Sequence, residues 1–384
     1  MTDNPLAPFE EHFGGLEDPR KLRPCDHPLL NILFITVCAV IAGADDWVEN
    51  EIFAQEHQGF FERFLDLSSG IPSHDTFGRV FRRLEPEAFC ACFMAWMSAM
   101  VTLSDGQVVA IDGKTIRRSF DKVLGKGAVH IVSAFAAANR VVLGQVQVDG
   151  KENEIVVIPA LIELLELTGS IVTLDAMGCQ KTIAAAIVDK GADYILRLKD
   201  NHPNVRQEVE EAFREAAQSH SEAVVFEDVM TDGGHGRVEV RRVECTSTIG
   251  WFEDKPLWKG LKSFVKVISE RHEGQKVSIE ERLYLSSLPS QSEEDAKRFN
   301  ESIRRHWSIE NELHWVLDMS FREDESRYRK GNGAQNLAVI RKLALNLLRL
   351  DTSLKGSLKV KRMRVGCNLE KYLPSVLNAA GNHS

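Results

Sequence analysis

The segment Val108-Val109-Ala110-Ile111-Asp112-Gly113-Lys114-Thr115 is the most informative part of this chain for its architecture. Its first four residues are apolar and mostly β-branched, a short run typical of a buried strand, and the run ends at Asp112. The same pattern returns at residues 171–178 as I-V-T-L-D-A-M-G, which ends at Asp175. Because ligand sites in open α/β sheets gather outside strand ends, these two aspartates mark a candidate site.

The elements around these two strands predict a complete α/β core. Two β-rich runs at 130–135 and 141–148 form a hairpin, and helical patterns at 155–167, 179–189 and 204–219 alternate with strands at 171–174 and 194–198. The order β-β-β-α-β-α-β-α is the connectivity of a ribonuclease-H-like fold, a mixed sheet with helices on both faces. In that fold the first and fourth strands are neighbours, so Asp112 and Asp175 are predicted to face each other.

Three regions surround or interrupt this core. The first 100 residues are predicted to be an all-α N-terminal domain, and the core spans 105–350 with a β-rich insertion at about 224–289. The insertion contains predicted strands at 238–243, 263–268 and 281–288, and helices follow at 296–317 and 334–350. Residues 351–384 are predicted to be a basic C-terminal tail.

A helix-turn-helix outline is present in the N-terminal domain. A helical pattern at 47–67 is followed by a break at 68–73 and by a second helix at 74–84, for which Ser73 is the expected N-cap. The second helix carries Arg79, Arg82 and Arg83. These arginines indicate either a DNA-reading helix or an ordinary solvated helix surface.

The composition excludes several classes of protein. The chain has 384 residues, contains no apolar run of the length that a membrane helix needs, and begins with a polar, acidic segment unlike a signal peptide. We therefore expect a cytoplasmic protein without a membrane partner. The net charge is −9, yet residues 341–371 contain nine lysines and arginines and only two acids. This basic tract is either a solvated helix end or a phosphate-binding patch.

Two carboxylates at neighbouring strand ends repel each other, and burying them is costly unless a cation neutralises them. Asp112 and Asp175 are therefore candidate ligands of a divalent metal, although aspartate is also common at strand ends as a turn residue. A third carboxylate is expected from the later helix. There, Ile303, Trp307, Glu310, His314 and Leu317 fall on one helical stripe, so Glu310 is predicted to lie among large apolar neighbours. An ion pair with Arg304, Arg305 or His314 is the alternative for Glu310.

Several basic residues lie beside these acids. Lys114, Arg117 and Arg118 follow Asp112, and Lys199 follows another predicted strand. They are candidates for holding a DNA backbone, and simple surface exposure is the alternative.

Linked motifs run through nearly the whole chain: D-P-R (18–20), H-P-L-L (27–30), D-G-K-T-I-R-R-S (112–119), L-G-Q (143–145), K-E-N-E-I (151–155), T-L-D-A-M-G-C-Q (173–180), D-Y-I-L-R-L-K-D-N (193–201), R-H-W-S-I-E-N-E-L-H-W-V-L-D (305–318) and F-R-E-D (321–324). Together they resemble the H-repeat-associated branch of bacterial insertion-sequence DDE transposases. The resemblance implies a catalytic triad of Asp112, Asp175 and Glu310 that holds two Mg²⁺ ions, with Mn²⁺ as a substitute. It also implies binding to terminal inverted repeats and target DNA, with a homodimer assembled on the DNA.

One departure from the wider superfamily stands out. Where its pattern has a tyrosine, an arginine and a lysine around the glutamate, this chain has Ile303, His306 and Leu317. Arg304 and Arg305 are the candidates to replace the missing basic groups. The predicted function is Mg²⁺-dependent DNA cleavage and strand transfer, and the alternative is a catalytically silent DNA-binding protein derived from a transposase.

Overall fold

A single nine-stranded sheet runs through the protein. The computed structural model describes residues 4–20, 25–121, 125–148, 153–218, 223–234 and 237–379. Lys151 and Glu152 of the K-E-N-E-I motif, residues 235–236 of the insertion and residues 380–384 of the predicted tail lie outside this part. The strands are β1 (Val108–Thr115), β2 (His130–Ala136), β3 (Val141–Val148), β4 (Ile171–Leu174), β5 (Asp193–Leu198), β6 (Phe226–Gly234), β7 (Arg237–Thr246), β8 (Ser263–Glu273) and β9 (Lys276–Ser286).

The spatial order of the strands is β3-β2-β1-β4-β5-β9-β8-β7-β6. The pairs β1–β4 and β4–β5 are parallel, and all other neighbouring pairs are antiparallel. The first five strands therefore have the predicted ribonuclease-H-like arrangement, and the adjacency of the first and fourth strands is confirmed.

Helices cover both faces of this sheet, as its parallel strands require. The helices of the core are α7 (Glu154–Leu164), α8 (Lys181–Asp189), α9 (Pro203–Ala216), α10 (Glu293–His306), α11 (Trp315–Phe321) and α12 (Gly333–Leu350). Val109 and Ile111 of β1 pack in the cluster formed with α7 and α8, whereas Val108 shares a cluster with α10. Successive side chains of β1 thus point to opposite, fully covered faces.

The β-rich insertion extends the sheet of the core. Strand β9 pairs with β5, and β8, β7 and β6 follow in order as an antiparallel ribbon. The sequence predicted three strands here and missed β6. The sequence of β6, F-E-D-V-M-T-D-G-G, contains many polar and few large apolar residues. This composition suits a strand at the exposed edge of the ribbon.

The N-terminal region is helical, as predicted, with six helices among its described residues, 4–20 and 25–100. They are α1 (Ala7–Phe13), α2 (Leu29–Ala42), α3 (Trp47–Glu56), α4 (Gln58–Phe61), α5 (His74–Phe81) and α6 (Pro86–Met100). Helix α2 is buried along almost its whole length and packs with α12 in one hydrophobic cluster. Among the described residues, no single helix is long and apolar enough to cross a bilayer; α2 and α3 meet the criteria only as a pair bent by 94°.

The start of α5 differs from the expectation in one detail. Ser73 is the N-cap residue, but its side chain makes no capping hydrogen bond. The carboxylate of Glu51 instead accepts from the backbone N–H of His74 at 2.8 Å and contacts the imidazole at 2.6 Å. A carboxylate from the neighbouring helix therefore takes over the capping role that local sequence assigned to Ser73.

The predicted basic tail is wrong for residues 351–379. They form two packed helices, α13 (Leu358–Cys367) and α14 (Leu369–Leu377). Four cations of the tract at 341–371 are buried: Arg341, Lys342, Lys361 and Arg362. Lys361 donates to the carbonyls of Leu348 and Asp351, and Arg362 donates to Val40 and Asp45. These side chains stabilise the interior and are not a phosphate-binding patch.

An acidic counterpart to these cations comes from the F-R-E-D motif. Arg322 ends α11 in the left-handed conformation, with φ at 50°, and this turns Glu323 into the interior, where it is 1% exposed. The ammonium of Lys114 lies 2.7 Å from Glu323 and 2.6 Å from Asp318. Burial by itself raises the pKa of Glu323, but the charges of Lys114 and of the cations on α12 outweigh it and lower the pKa.

We expect Glu323→Ala to lower the free energy of unfolding by about 3 kcal/mol, the lower end of the range for a broken buried pair, because Asp318 still faces Lys114. Denaturant unfolding followed by circular dichroism measures the change. Glu325→Ala is the matched control, since Glu325 is exposed and pairs only with exposed Arg322. Equal midpoints for the two variants would contradict a stabilising role of the buried carboxylate.

Candidate active site

Strand alternation places the two aspartates on one face of the sheet. In the parallel pair β1–β4, Ile111 lies opposite Leu174, and both side chains pack against the α7–α8 side. The next residue of each strand points to the other face. Asp112 and Asp175 are therefore level with each other on the face covered by α10.

Glu310 reaches this face from a π-helical segment. Helix α10 ends at His306, and residues Ile309–His314 form a π-helix before α11 begins at Trp315. A π-turn has i→i+5 hydrogen bonds and is frequent at functional sites. Ile303, His314 and Leu317 of the predicted stripe are buried. The expectation that apolar neighbours bury Glu310 is wrong, however, because the side chain of Glu310 is 53% exposed and Trp307 is 44% exposed.

The three acids line one cavity of about 180 Å³. Its other lining residues are Thr173, Leu174, Ile195, Arg197, Tyr284, Ile303, His306 and Trp307. Glu312, two residues from Glu310, is held elsewhere by two hydrogen bonds from Arg140, at 2.8 and 2.9 Å. Of these two glutamates, Glu310 is therefore the one that lines the cavity.

Negative charge is concentrated in this cavity. Burial raises the pKa of Asp112 to about 8, and the charge of Glu310 contributes next. The pKa of Glu310 is lowered, chiefly by its hydrogen bond with His314, whose Nδ1 lies 3.4 Å from the carboxylate. Asp112 is therefore hard to ionise beside the ionised Glu310. A bound cation would neutralise the negative charge and so favour the ionised form of both carboxyls.

Ligand atoms of Asp112, Glu310 and His314 all lie within 4.8 Å of one another. Nε2 of His314 has no hydrogen-bond partner in the described structure, and its Nδ1 lies 3.7 Å from Asp112. Carboxylate oxygens with one imidazole can hold a divalent ion. His314 is a residue that the sequence analysis did not assign to the site.

Asp175 lies outside that compact group. One of its oxygens accepts hydrogen bonds from the backbone N–H groups of Met177 and Gly178, at 3.0 and 3.3 Å. This is the turn role that the sequence analysis kept as an alternative. It fixes the carboxylate at the cavity and leaves the second oxygen available to a ligand.

Two side chains of the cavity stand near the places of the missing basic groups. His306, the last residue of α10, holds the place of the arginine and is uncharged at neutral pH, because burial lowers its pKa to about 4; its Nδ1 lies 3.0 Å from the Thr173 hydroxyl. Arg197 lies on β5, one residue beyond the Leu174–Leu196 pair and thus level with Asp175, and its guanidinium is 3.4 Å from Glu280. An arginine in the otherwise apolar run Y-I-L-R-L at 194–198 was the signal in the sequence for this residue.

The predicted DNA-binding cations fall into three groups. Lys114 lies between the carboxylates of Asp318 and Glu323, which neutralise its charge. It is therefore not proposed as a DNA contact. Arg117 and Arg304 are exposed but paired, with Asp324 and Asp232 respectively. The remaining cations have no ion pair with a described carboxylate and are exposed or half-buried: Arg79, Arg82, Arg83, Arg118, Lys199 and Arg305.

Comparisons with known proteins show the family to which the chain belongs. Residues 103–347 match the family described as "Transposase DDE domain", and residues 10–97 match the one described as "DDE_Tnp_1-associated". The chain is 43% identical over 372 residues to "Putative transposase YncI" of Escherichia coli O157:H7, covering 95% of this chain and 94% of the relative. It is 37% identical to "H repeat-associated putative transposase YhhI" of Escherichia coli K12, covering 98% and 99%.

A distant structural match is the cryo-EM structure of the piggyBac transposase synaptic complex with hairpin DNA, at a TM-score of 0.41 and 11% identity, covering 99% of this chain and 83% of the other. The sequence matches extend from the N-terminal helices through the cavity to α12. The chain therefore belongs to the "Transposase DDE domain" family and is a relative of the H repeat-associated transposases, as its motifs indicate.

Proposed function

We propose that this transposase uses Mg²⁺ to cleave DNA at the ends of its element and to join those ends to target DNA. The observation that carries the proposal is the convergence of Asp112, Asp175 and Glu310 on one cavity, where the pKa of Asp112 is raised to about 8 by burial and by the charge of Glu310. Members of the family use a divalent metal. The helical region at 1–100 is assigned to the DNA ends, and the region at 105–350 to catalysis.

The donors in the cavity fit a hard cation. Asp112, Asp175 and Glu310 would hold the metal, with His314 beside the first and third of them. Mg²⁺ takes oxygen ligands and retains water and phosphate oxygens, and Mn²⁺ tolerates the same donors. When bound, a pair of such ions activates the attacking oxygen and stabilises the leaving oxygen of a phosphodiester.

The protein's own residues position the DNA strand. Arg197 and Tyr284 line the cavity beside the acids, so a scissile phosphate there meets a guanidinium and a phenol. Arg118, Lys199 and Arg305 are exposed cations without a described carboxylate partner and would contact the backbone on either side. Inverted repeats at two element ends call for two copies of the chain, so a homodimer on DNA belongs to the proposal.

We expect Asp112→Asn, Asp175→Asn and Glu310→Gln each to lower Mg²⁺-dependent cleavage of element-end DNA by roughly 10³-fold or more, because each removes a ligand from ions that contribute several kcal/mol to the transition state. Gel assays on duplexes from the flanking inverted repeats measure this. Glu312→Gln is the matched control, since its carboxylate sits on the same π segment but pairs with Arg140 outside the cavity.

The controls separate the competing interpretations. The acid variants should bind the same duplex as tightly as the wild type when divalent metal is absent. Full activity in any one of them would overturn the triad. Binding by the wild type without cleavage in Mg²⁺ or Mn²⁺ would favour a silent DNA-binding protein. A strand-transfer assay with precleaved ends distinguishes transposition from simple nuclease activity.

The charge in the cavity also predicts a pH effect on stability. The folded state keeps a proton on Asp112 up to about pH 8, whereas the ordinary value is 3.8. Stability is therefore present at low pH and lost as the pH rises toward 8. In EDTA, we expect the Tm of Asp112→Asn to exceed that of the wild type by a margin that grows from pH 4 and levels off above pH 8.

Thermal unfolding with and without metal tests this effect. Saturating Mg²⁺ should raise the Tm of the wild type and leave the Tm of Asp112→Asn almost unchanged. A variant less stable than the wild type above pH 8 in EDTA would contradict repulsion within the cavity.

A further inference from the structure

A second cavity, of about 810 Å³, lies between the N-terminal helices and the segment that follows the catalytic helix. One wall is α5, and the other is the stretch at 327–333 after α11. Five cations line it: Arg79 and Arg82 from α5, and Arg327, Arg329 and Lys330 from the opposite wall. We call this surface the basic groove.

The cations of the basic groove are not neutralised. None of the five makes an ion pair with a carboxylate among the described residues, whereas Lys114, Arg117 and Arg304 all do. Arg79, Arg327 and Lys330 are exposed, and the other two are half-buried. In a chain of net charge −9, a concave surface that keeps unpaired cations is suited to a polyanion.

The carboxylates that line the groove do not offset this charge fully. They are Asp46, Asp75 and Asp121. Asp46 already accepts the backbone N–H of Glu49 as the N-cap of α3, and Asp75 lies 3.9 Å from Nε2 of His74. Three carboxylates, each with contacts of its own, face five cations.

The two walls are held together by backbone hydrogen bonds. The N–H of Asn332 donates to the carbonyl of Arg82 at 3.0 Å, and the side chain of Asn336 donates to the carbonyls of Phe81 and Leu84. Gly331, with φ at +55°, allows this approach, since a Cβ there would lie 2.3 Å from the Arg82 oxygen. The groove is therefore preformed, so binding need not order it first.

Aromatic side chains support the same walls. The ring of Tyr328 packs on Trp47 at 4.9 Å, and its hydroxyl accepts the Trp47 backbone N–H at 2.9 Å. Arg329 donates to the carbonyl of Arg118 and lies over the ring of Phe120. The cations thus form two rows on a rigid support, one on a helix and one on an irregular segment.

We propose that the basic groove binds the phosphate backbone of duplex DNA, outside the cavity of the three acids. The proposal rests on the proposed function in one respect, that DNA is the partner of this chain. Two rows of cations on opposite walls match successive phosphates along a strand better than one isolated anion. The groove joins the N-terminal helices to the catalytic core, so DNA held there spans both. Contacts to phosphate give register and affinity with little sequence preference.

The experiment measures DNA binding in EDTA, where no cleavage occurs. Fluorescence anisotropy of a labelled duplex gives log K against log salt for the wild type and for Arg79→Gln/Arg327→Gln/Lys330→Gln. The slope should fall in magnitude by about 0.9 for each lost contact, or about 2.7 in total. Duplexes of unrelated sequence should lose affinity equally.

Two further variants guard the result. Lys262→Gln/Lys276→Gln/Lys297→Gln removes three exposed cations outside the groove and outside the tract at 341–371, and it should leave the slope near the wild-type value. Arg79→Lys/Arg327→Lys keeps the charges and should keep the slope, which distinguishes charge loss from misfolding. A slope unchanged in the groove variant, or reduced equally in the control, overturns the proposal.

Failure here is separable from failure of the catalytic proposal. If the groove variant has the same salt slope as the wild type, the conclusions from the cleavage assays of the acid variants still hold, because those assays report on the other cavity. Conversely, if the wild type does not cleave DNA but shows the expected salt slopes, DNA binding by the basic groove is supported and the proposed cleavage activity is contradicted.

Discussion

The parallel pairing of β1 with β4 is the constraint on which the rest of this structure depends. Because Ile111 is level with Leu174, the carboxylates that follow them are level as well, on one face of a sheet that is covered on both sides. The fold therefore forces like charges together in a place that is poor in solvent. Burial is the main cause of the raised pKa of Asp112; the charge of Glu310 comes next, and Asp175 makes a smaller contribution. A site with this concentration of negative charge is complementary to a cation, and this is the basis on which the proposed function assigns a divalent metal to it.

The distribution of the basic residues follows from a second constraint, the burial of charge at the junction of the N-terminal and core helices. Lys114 follows Asp112 on β1 by two residues, and its contacts with Asp318 and Glu323 tie that strand to the end of the helix that carries Glu310. Arg362 likewise ties α13 to the turn after α2. Paired buried charges are sensitive to the loss of either partner, so they fix the relative placement of the elements that they join.

The sequence predicted what local periodicity determines and failed where tertiary contacts decide. Apolar runs ending in aspartate predicted β1 and β4, and the order of the elements predicted that these strands are neighbours. The family motifs predicted Glu310 as the third acid. The 3.6-residue period predicted the burial of Ile303 and Leu317 but not the exposure of Glu310, which lies in a π-helical segment. For the basic tract at 341–371, neither alternative included the burial of four of its cations, because a count of charges carries no information on which cations face Glu323, Asp351 or Asp45. Ser73 lost its capping role to Glu51, a partner that only the packing of α3 on α5 supplies.

The π segment explains how one glutamate joins two strands that are far from it in sequence. Glu310 lines the same cavity as Ile303 of α10, but its own side chain is half-exposed. His314, four residues later, is buried beside Asp112. The π-helical segment thus combines an accessible carboxylate, Glu310, with residues that pack on the core. The imidazole of His314 connects them: its Nδ1 lies 3.4 Å from Glu310 and 3.7 Å from Asp112, and its hydrogen bond with Glu310 is the main cause that lowers the pKa of that carboxyl.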